Sequence, residues 1–521
     1  MAKKLSLFNA IGVLLLLTQF ASYLLLYFNI SFGVTAIIDI AAVIFLLVNT
    51  DFKNVHVNYK LLIIIAVQAL ALILMTDKLT LITDSPDFYN HISVSKVVSD
   101  TDSLFYVTDH SATQTSFVHT YPVGIYTILA FLIHILPQNE LITGFCSALV
   151  FMIYSSWVLY KINMKLFNNE NNSLISTSLF SFSIILLLEL GQGYIPSILG
   201  ILYLLLVLYF FFSKEYLFSS FFFGALGLTY PHYFLIGFLF LLLNLVFNYK
   251  KEYHIYLLGL FIGTIESLQL AAFYIIRMFN NMPGLEVIFF IRGGITIPNI
   301  CSVLIFIPLL YYAVKNIKMF LKDKAVLFLT IAFLIPPLVL FVIFITNYLF
   351  TYFLFFEIKQ AYMVIKYAYL LIIPSSILYS KIIDKINKKL IYAAMLLYLI
   401  YFLMFPSYFK SSTKWDVDQS YFTRLVDLQK NITSNDSVCI STAYLAEKGE
   451  YNNIFYDSPF QGSGNKTFLH IMNSIKLLRN NYTIFNFSVS KNMTWLINTE
   501  TGRDFVDFQQ NCSESSADIK I

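Results

Sequence analysis

The feature that most limits what this chain can become is a train of apolar runs, each about as long as a bilayer is thick. They lie near residues 7–28, 31–49, 61–76, 139–160, 173–192, 195–212, 216–231, 232–249, 254–276, 299–315, 325–347, 362–380 and 389–405. A helix needs about 20 predominantly apolar residues to cross the ~30 Å hydrocarbon layer. Thirteen such runs cannot all be buried around one soluble core, and composition agrees: 58% of residues are hydrophobic and 12% charged, against about 25% charged in a soluble domain. The expected fold is an all-α polytopic membrane bundle of about 13 transmembrane helices over residues 1–405, followed by a small extracytoplasmic α/β domain over 406–521.

The formal net charge of +4 makes no case for a nucleic-acid partner, so the lysines inform by position. MAKK, DFKNVHVNYK, KINMKLFNNENN, SKEY, NYKKEYH, VKNIKMFLKDK and SKIIDKINKK all fall on one face if the runs above cross in alternation. Excess Lys and Arg mark the cytoplasmic side. The expected placement is therefore a multi-pass cell-membrane protein with a cytoplasmic N-terminus and an extracytoplasmic C-terminal region. The first run, 7–28, is too long for a signal-peptide core and reads as a retained span.

This orientation requires that YPVGIYTILAFLIHIL, residues 121–136, not cross. Its short length, Pro122, Gly124 and His134 suit an interfacial or re-entrant helix. The longest polar interruption then becomes an outer loop over 77–140. It carries Asp84, Asp87, Asp100, Asp102 and Asp109, with His91, His110 and His119. Asp84 and Asp87 follow the third run closely, where a carboxylate can reach both water and a lipid headgroup and act as a general base. DFYNHISVSKVV spaces Phe88, Ile92 and Ser95 at helical intervals, so either acid is equally suited to cap a juxtamembrane helix. Asp100, Asp102 and Asp109 read as solvated loop.

Residues 406–521 alternate polar and apolar residues. SVCIS, NIFYD and YTIFNFSV read as strands, and YFTRLVDLQKNI and FLHIMNSIKLLRN as helices. Seven glycosylation sequons begin at Asn431, Asn435, Asn465, Asn481, Asn486, Asn492 and Asn511, which suits an outward-facing surface. Cys439 and Cys512 are disulfide candidates if that surface is oxidising. No metal-ligand spacing or Gly-rich phosphate loop is present in the sequence, so no cofactor is required. A divalent cation on Asp84 and Asp87 stays open.

An Asp-bearing outer loop after an early span (TDSPDFYNH), then YPVG opening an amphipathic helix, further spans and a C-terminal outer region resemble the GT-C superfamily of polyprenyl-phosphate-dependent glycosyltransferases, in particular prokaryotic, archaeal-type members. GLTYPHYFLIGFLF, with Tyr230, Pro231 and His232, is similar to a polar-Pro turn of that superfamily. AYMVIKYAYLLIIPSSIL resembles a segment in which a basic residue, here Lys366, meets lipid phosphate. The superfamily's usual Asp-Glu pair is absent, since Ser85-Pro86 separates Asp84 from Asp87, and there is no WWDYG-type motif.

The resemblance implies transfer of a sugar from a polyprenyl- or dolichyl-phosphate donor to a lipid-linked glycan or surface glycoprotein on the outer face. Asp87, with Asp84 beside it, would be the base, and Tyr89, His91 and His232 would line the substrate groove. Arg277, Arg292, Lys359 and Lys366, all on the outer side of the bundle, would hold the donor phosphate. Two other readings stay open: a transporter or flippase of lipid-linked saccharides, favoured by Asp39 inside the second run, and a non-catalytic assembly subunit.

Overall fold

The structure is a computed structural model. It describes residues 6–51, 58–74, 76–77, 80–81, 122–136, 140–191, 193–265, 324–349, 370–383, 438–440, 495–498 and 518–520, with isolated residues between 88 and 104 and between 392 and 404. Most of the described chain is helical. The helices are α1 (Leu7–Tyr27), α2 (Phe32–Asn49), α3 (Tyr59–Leu74), α4 (Gly124–Ile135), α5 (Glu140–Phe167), α6 (Glu170–Ser181), α7 (Ile184–Gly191), α8 (Ile195–Phe212), α9 (Tyr216–Thr229), α10 (Pro231–Phe247), α11 (Lys324–Leu349) and α12 (Ile372–Ile382). A 3₁₀ turn, Lys251–Ile255, leads into a helical stretch at 256–265. A two-residue hairpin, β1 (Thr76–Asp77) and β2 (Thr80–Leu81), follows α3.

Among the described residues four helices, Leu7–Tyr27, Phe32–Asn49, Ile142–Phe167 and Ile195–Phe212, are long and apolar enough to cross a membrane. On α2 the polarity is reversed relative to a soluble protein. On α2 only Phe32, Thr35, Asp39 and Leu46 are buried, while Ile37 is 68% and Val48 70% exposed. The bundle interior holds Gln19, Gln68, Ser156, Asn163 and Ser176. Among hydrocarbon chains an apolar exterior costs nothing, whereas polar groups gain by meeting one another inside. Ser156 Oγ donates to Gln68 Oε1 (2.9 Å) and Asn163 Nδ2 to Ser176 Oγ (2.8 Å), tying α5 to α3 and α6.

Helix α8 is the axis of the bundle. Sixteen of its residues are buried, and α5, α9 and α10 pack around it. Helix α9 meets the 256–265 stretch along a seam of small residues: Ser220, Gly224 and Gly227 against Gly259 and Gly263. Ser220 Oγ accepts from the Gly259 N–H at 3.0 Å and donates to the Ile255 carbonyl at 2.8 Å. Small residues let helix backbones touch, which is how helices associate where no hydrophobic force separates them from lipid.

Two expectations change. Residues 173–192 form not one span but α6 and α7, broken at Phe182 and Ser183. The cause is the density of Ser and Thr: Thr177 and Ser178 bond back to the Ser173 and Leu174 carbonyls, a pattern that loosens helices. Helix α4 is short, as expected, with 12 residues covering about 18 Å. It is not amphipathic at an interface, however. Gly124 to Phe131 and Ile133 are all buried, because α1, α2 and α5 enclose it.

The bundle has two distinct ends. At one, Phe8 packs on the rings of Tyr154, Trp157 and Tyr209, and Asn58 Nδ2 donates to Glu170 Oε1 (2.8 Å). Lys250 Nζ reaches the Tyr216 hydroxyl (3.5 Å) at the same end. Lys214 after α8 and Lys250 and Lys251 after α10 thus share one end with the start of α1. In the C-terminal region, β3 (Val438–Ile440), β4 (Trp495–Asn498) and β5 (Asp518–Lys520) form a parallel sheet, with Cys439 opposite Leu496 and Ile497 opposite Ile519. The strand at SVCIS is where the sequence puts it, and β4 and β5 are additional. NIFYD, YTIFNFSV and the two expected helices lie outside the described residues.

Candidate functional site

The opposite end of the bundle collects the segment after Asp87. Its described residues, Phe88, His91, Ile92, Val94, Ser95, Val98 and Ser99, are helical and buried. The helical spacing of Phe88, Ile92 and Ser95 therefore reflects docking onto the bundle. Ser95 Oγ donates to the His91 carbonyl at 2.7 Å. Asp102 is not a solvated loop residue. It adopts a left-handed conformation (φ 51°) and its Oδ1 accepts from the Phe32 N–H at 2.9 Å, covering the start of α2. A carboxylate there meets the positive end of the helix dipole.

Contacts then close into a ring. His91 Nδ1 lies 3.2 Å from the Tyr126 hydroxyl on α4. At the start of α4, a Cβ on Gly124 would sit 2.6 Å from both Gln19 Nε2 and Thr229 Oγ1, so YPVG needs its glycine to pass this pair. Gln19 Nε2 donates to Thr229 Oγ1 (3.1 Å), and the Tyr203 hydroxyl donates to Gln19 Oε1. Thr229 precedes Tyr230, whose ring lies 4.4 Å from that of Tyr233. The Tyr233 hydroxyl is 2.5 Å from Ser197 Oγ on α8. The turn before α8 returns to the start, since Gly193 lies against the Phe88 backbone.

Among the helices that begin near this end are α4, α8 and α10. None of these three has a side-chain cap hydrogen bond, and Pro196 and Pro231 stand in the first turns of α8 and α10. Helix starts of this kind turn backbone N–H groups and positive dipole ends the same way. An anion approaching this end would meet a favourable field.

The sequence-derived residues divide accordingly. His91 is 1% exposed, so it is enclosed behind the surface and not open on a groove. His232 is half-buried in the first turn of α10, its ring 5.6 Å from that of Tyr230. Asp84, Asp87, Tyr89, Arg277, Arg292, Lys359, Lys366, Cys512 and the seven sequon asparagines lie outside the described residues. Glu189 of α7 is buried. Among the described residues no group of three or more His, Cys, Asp or Glu could hold a metal ion. The ring residues Gln19, Tyr126, Gly193, Ser197, Tyr203, Thr229 and Tyr233 carried no motif. The available signals were a lone glutamine inside an apolar run and the GQG before α8.

Burial holds the His91 imidazole down to about 3 from an ordinary value of 6.5, because the charged form would lose its hydration. The folded protein therefore keeps His91 neutral at pH values where the unfolded chain protonates it. Stability is unaffected above about pH 6.5 and falls as pH drops from there toward about 3, by about 2 kcal/mol at pH 5. The apparent Tm of the wild type is expected to fall more steeply between pH 7.5 and pH 5 than that of His91→Gln. Parallel curves would show that His91 is not enclosed as a neutral ring.

Comparison with protein-family models and with curated proteins finds no match to this chain.

Proposed function

We propose that the chain is a multi-pass membrane glycosyltransferase of the GT-C kind, moving a sugar from a polyprenyl-phosphate donor to a glycan or glycoprotein acceptor on the outer face. The full reading comprises about 13 spans, a cytoplasmic N-terminus, an outer loop over 77–140 and an extracytoplasmic α/β region over 406–521. The observation that carries it is the closed ring: the helix joined covalently to Asp87 packs against the turn before α8, near Tyr230-Pro231-His232, where three helix starts favour an anion. The gathering of lysine-bearing connections at the other end supports the orientation.

In this reading Asp87, with Asp84 beside it, takes the proton of the acceptor hydroxyl as its oxygen attacks the sugar's anomeric carbon. The bond from that carbon to the donor phosphate breaks, and the electron pair leaves on the lipid phosphate. Arg277, Arg292, Lys359 and Lys366 neutralise it. His91, being enclosed, positions the helix after Asp87 through Tyr126. General-base removal costs about 10²–10⁴ in rate. Asp87→Asn is accordingly expected to lose transfer by that factor from a radiolabelled polyprenyl-phosphate sugar while donor binding persists. If Asp84→Asn and Asp87→Asn both transfer at the wild-type rate, the assignment of the base fails.

A second reading, a transporter of lipid-linked saccharides, is favoured by Asp39, a carboxylate buried between α1 and α2. It predicts movement of labelled lipid across proteoliposomes with no sugar transferred.

A further inference from the structure

We infer that α1 and α2 hold a buried site for one sodium ion, built from Thr18 and Ser22 of α1 and Thr35 and Asp39 of α2. The inference rests on neither functional reading. The helices form an antiparallel pair joined through Phe28–Ser31. Thr18 lies against the Asp39 carboxylate. Four residues along in each helix, toward the connecting turn, the same antiparallel register sets Ser22 level with Thr35. This register puts two rungs of oxygen atoms one helical turn apart on facing stripes.

All four side chains are enclosed, Ser22 and Thr35 completely, Asp39 at 6% exposed and Thr18 at 8%. Ser22 Oγ and Thr35 Oγ1 have no hydrogen-bond partner, and the Asp39 carboxylate has none beyond the Thr18 hydroxyl beside it. Each such group costs free energy in an apolar interior, and an uncompensated carboxylate costs most. The rest of α2 faces outward with Ile, Val, Leu and Phe, so bulk water does not relieve the cost.

The donor set decides the occupant. A proton would neutralise Asp39 but leave Ser22 and Thr35 unsatisfied. A small hard cation draws carboxylate and hydroxyl oxygens together and answers all of them at once. The site carries a single negative charge, and neither α1 nor α2 contains a Lys, Arg or His. The other described titratable groups against this pair are Tyr23 and Tyr27 on α1, Tyr126 and His134 on α4, tyrosines on α5, α8 and α9, and Asp102, whose carboxylate is held by the Phe32 N–H at the start of α2. His134 lies on Phe32, at the connecting-turn end of α2, with ring centroids 5.4 Å apart. One unit of charge matches a monovalent ion, whereas a magnesium ion would leave a positive excess and holds its waters.

The test uses the full-length protein in nanodiscs, heated in sodium chloride or in N-methylglucamine chloride at equal ionic strength and fixed pH. Sodium is expected to raise the apparent Tm saturably by a few degrees, because a ligand that binds only the folded state stabilises it. Asp39→Asn should lose the response, and Thr35→Val should move its midpoint to higher sodium. Should Asp39→Asn not fold, binding of radiolabelled sodium to wild type and Thr35→Val gives the same answer. Equal Tm in both salts, with a response to pH alone, would mean that Asp39 holds a proton, and the inference falls. An unchanged sodium response in both variants overturns it too.

Discussion

Gly227→Ile is expected to abolish the folded protein, leaving aggregate in place of a monodisperse peak on size-exclusion chromatography. A Cβ on Gly227 would fall on the backbone of Gly263, 2.6 Å from its carbonyl oxygen and 2.8 Å from its carbonyl carbon. Overpacking costs about 1–3 kcal/mol where side chains can yield. Here the obstacle is main chain, so α9 and the 256–265 helix would have to part along the whole seam. The Ser220 hydrogen bonds to Gly259 and Ile255 would be lost with it. The sum is a large share of the roughly 5–15 kcal/mol by which native proteins are stable. Gly237→Ala is the control: its Cβ would meet the Phe223 ring at 3.4 Å and a Leu226 methyl at 3.6 Å, both side chains that can yield, and the helix gains propensity, so its Tm should equal or exceed that of the wild type. A monodisperse Gly227→Ile protein of unchanged Tm would show that the two backbones do not touch.

Gly193→Val should cost less stability and, on the proposed function, as much activity as loss of the base. Gly193 has φ +70°, a conformation that costs a residue with a side chain about 1–2 kcal/mol. Its added Cβ would lie 2.8 Å from the Phe88 amide nitrogen and 3.0 Å from the Phe88 Cα. Relief requires the helix after Asp87 to lift from the turn before α8, which would take His91 from Tyr126. Most of the bundle does not touch this point, so folding should survive. Hydrogen exchange should rise across residues 88–99 while α5 and α8 stay protected, and sugar transfer should collapse. Unchanged exchange in that segment would refute the docking. Raised exchange with full transfer would keep the docking and refute its role in activity.

Membrane character was readable residue by residue. The runs at 7–28, 31–49 and 195–212 became α1, α2 and α8 within a residue or two, because about 20 apolar residues in lipid have only the helix as a way to pair their backbone groups. The shortness of α4 was readable from the length of its apolar run. The enclosure of its first eight residues was not, since Tyr126, Ile128 and Phe131 look as apolar to a sequence whether they meet lipid or protein. Asp102 looked like its neighbours Asp100 and Asp109 because a cap 70 residues away in the chain leaves no local pattern.

What the sequence determined by itself was therefore what depends on local period and charge: where apolar helices lie and which connections carry lysine. Tertiary structure alone decided which polar groups meet. Gln19, Tyr203 and Thr229 come from three separate apolar runs, and Thr18 and Asp39 from two. In lipid, outward positions tolerate almost any apolar residue, so pairing is written in a few small and polar side chains whose partners are distant in the chain. The same physics leaves Asp39 enclosed among hydroxyl groups and closes the ring from Phe88 to Gly193.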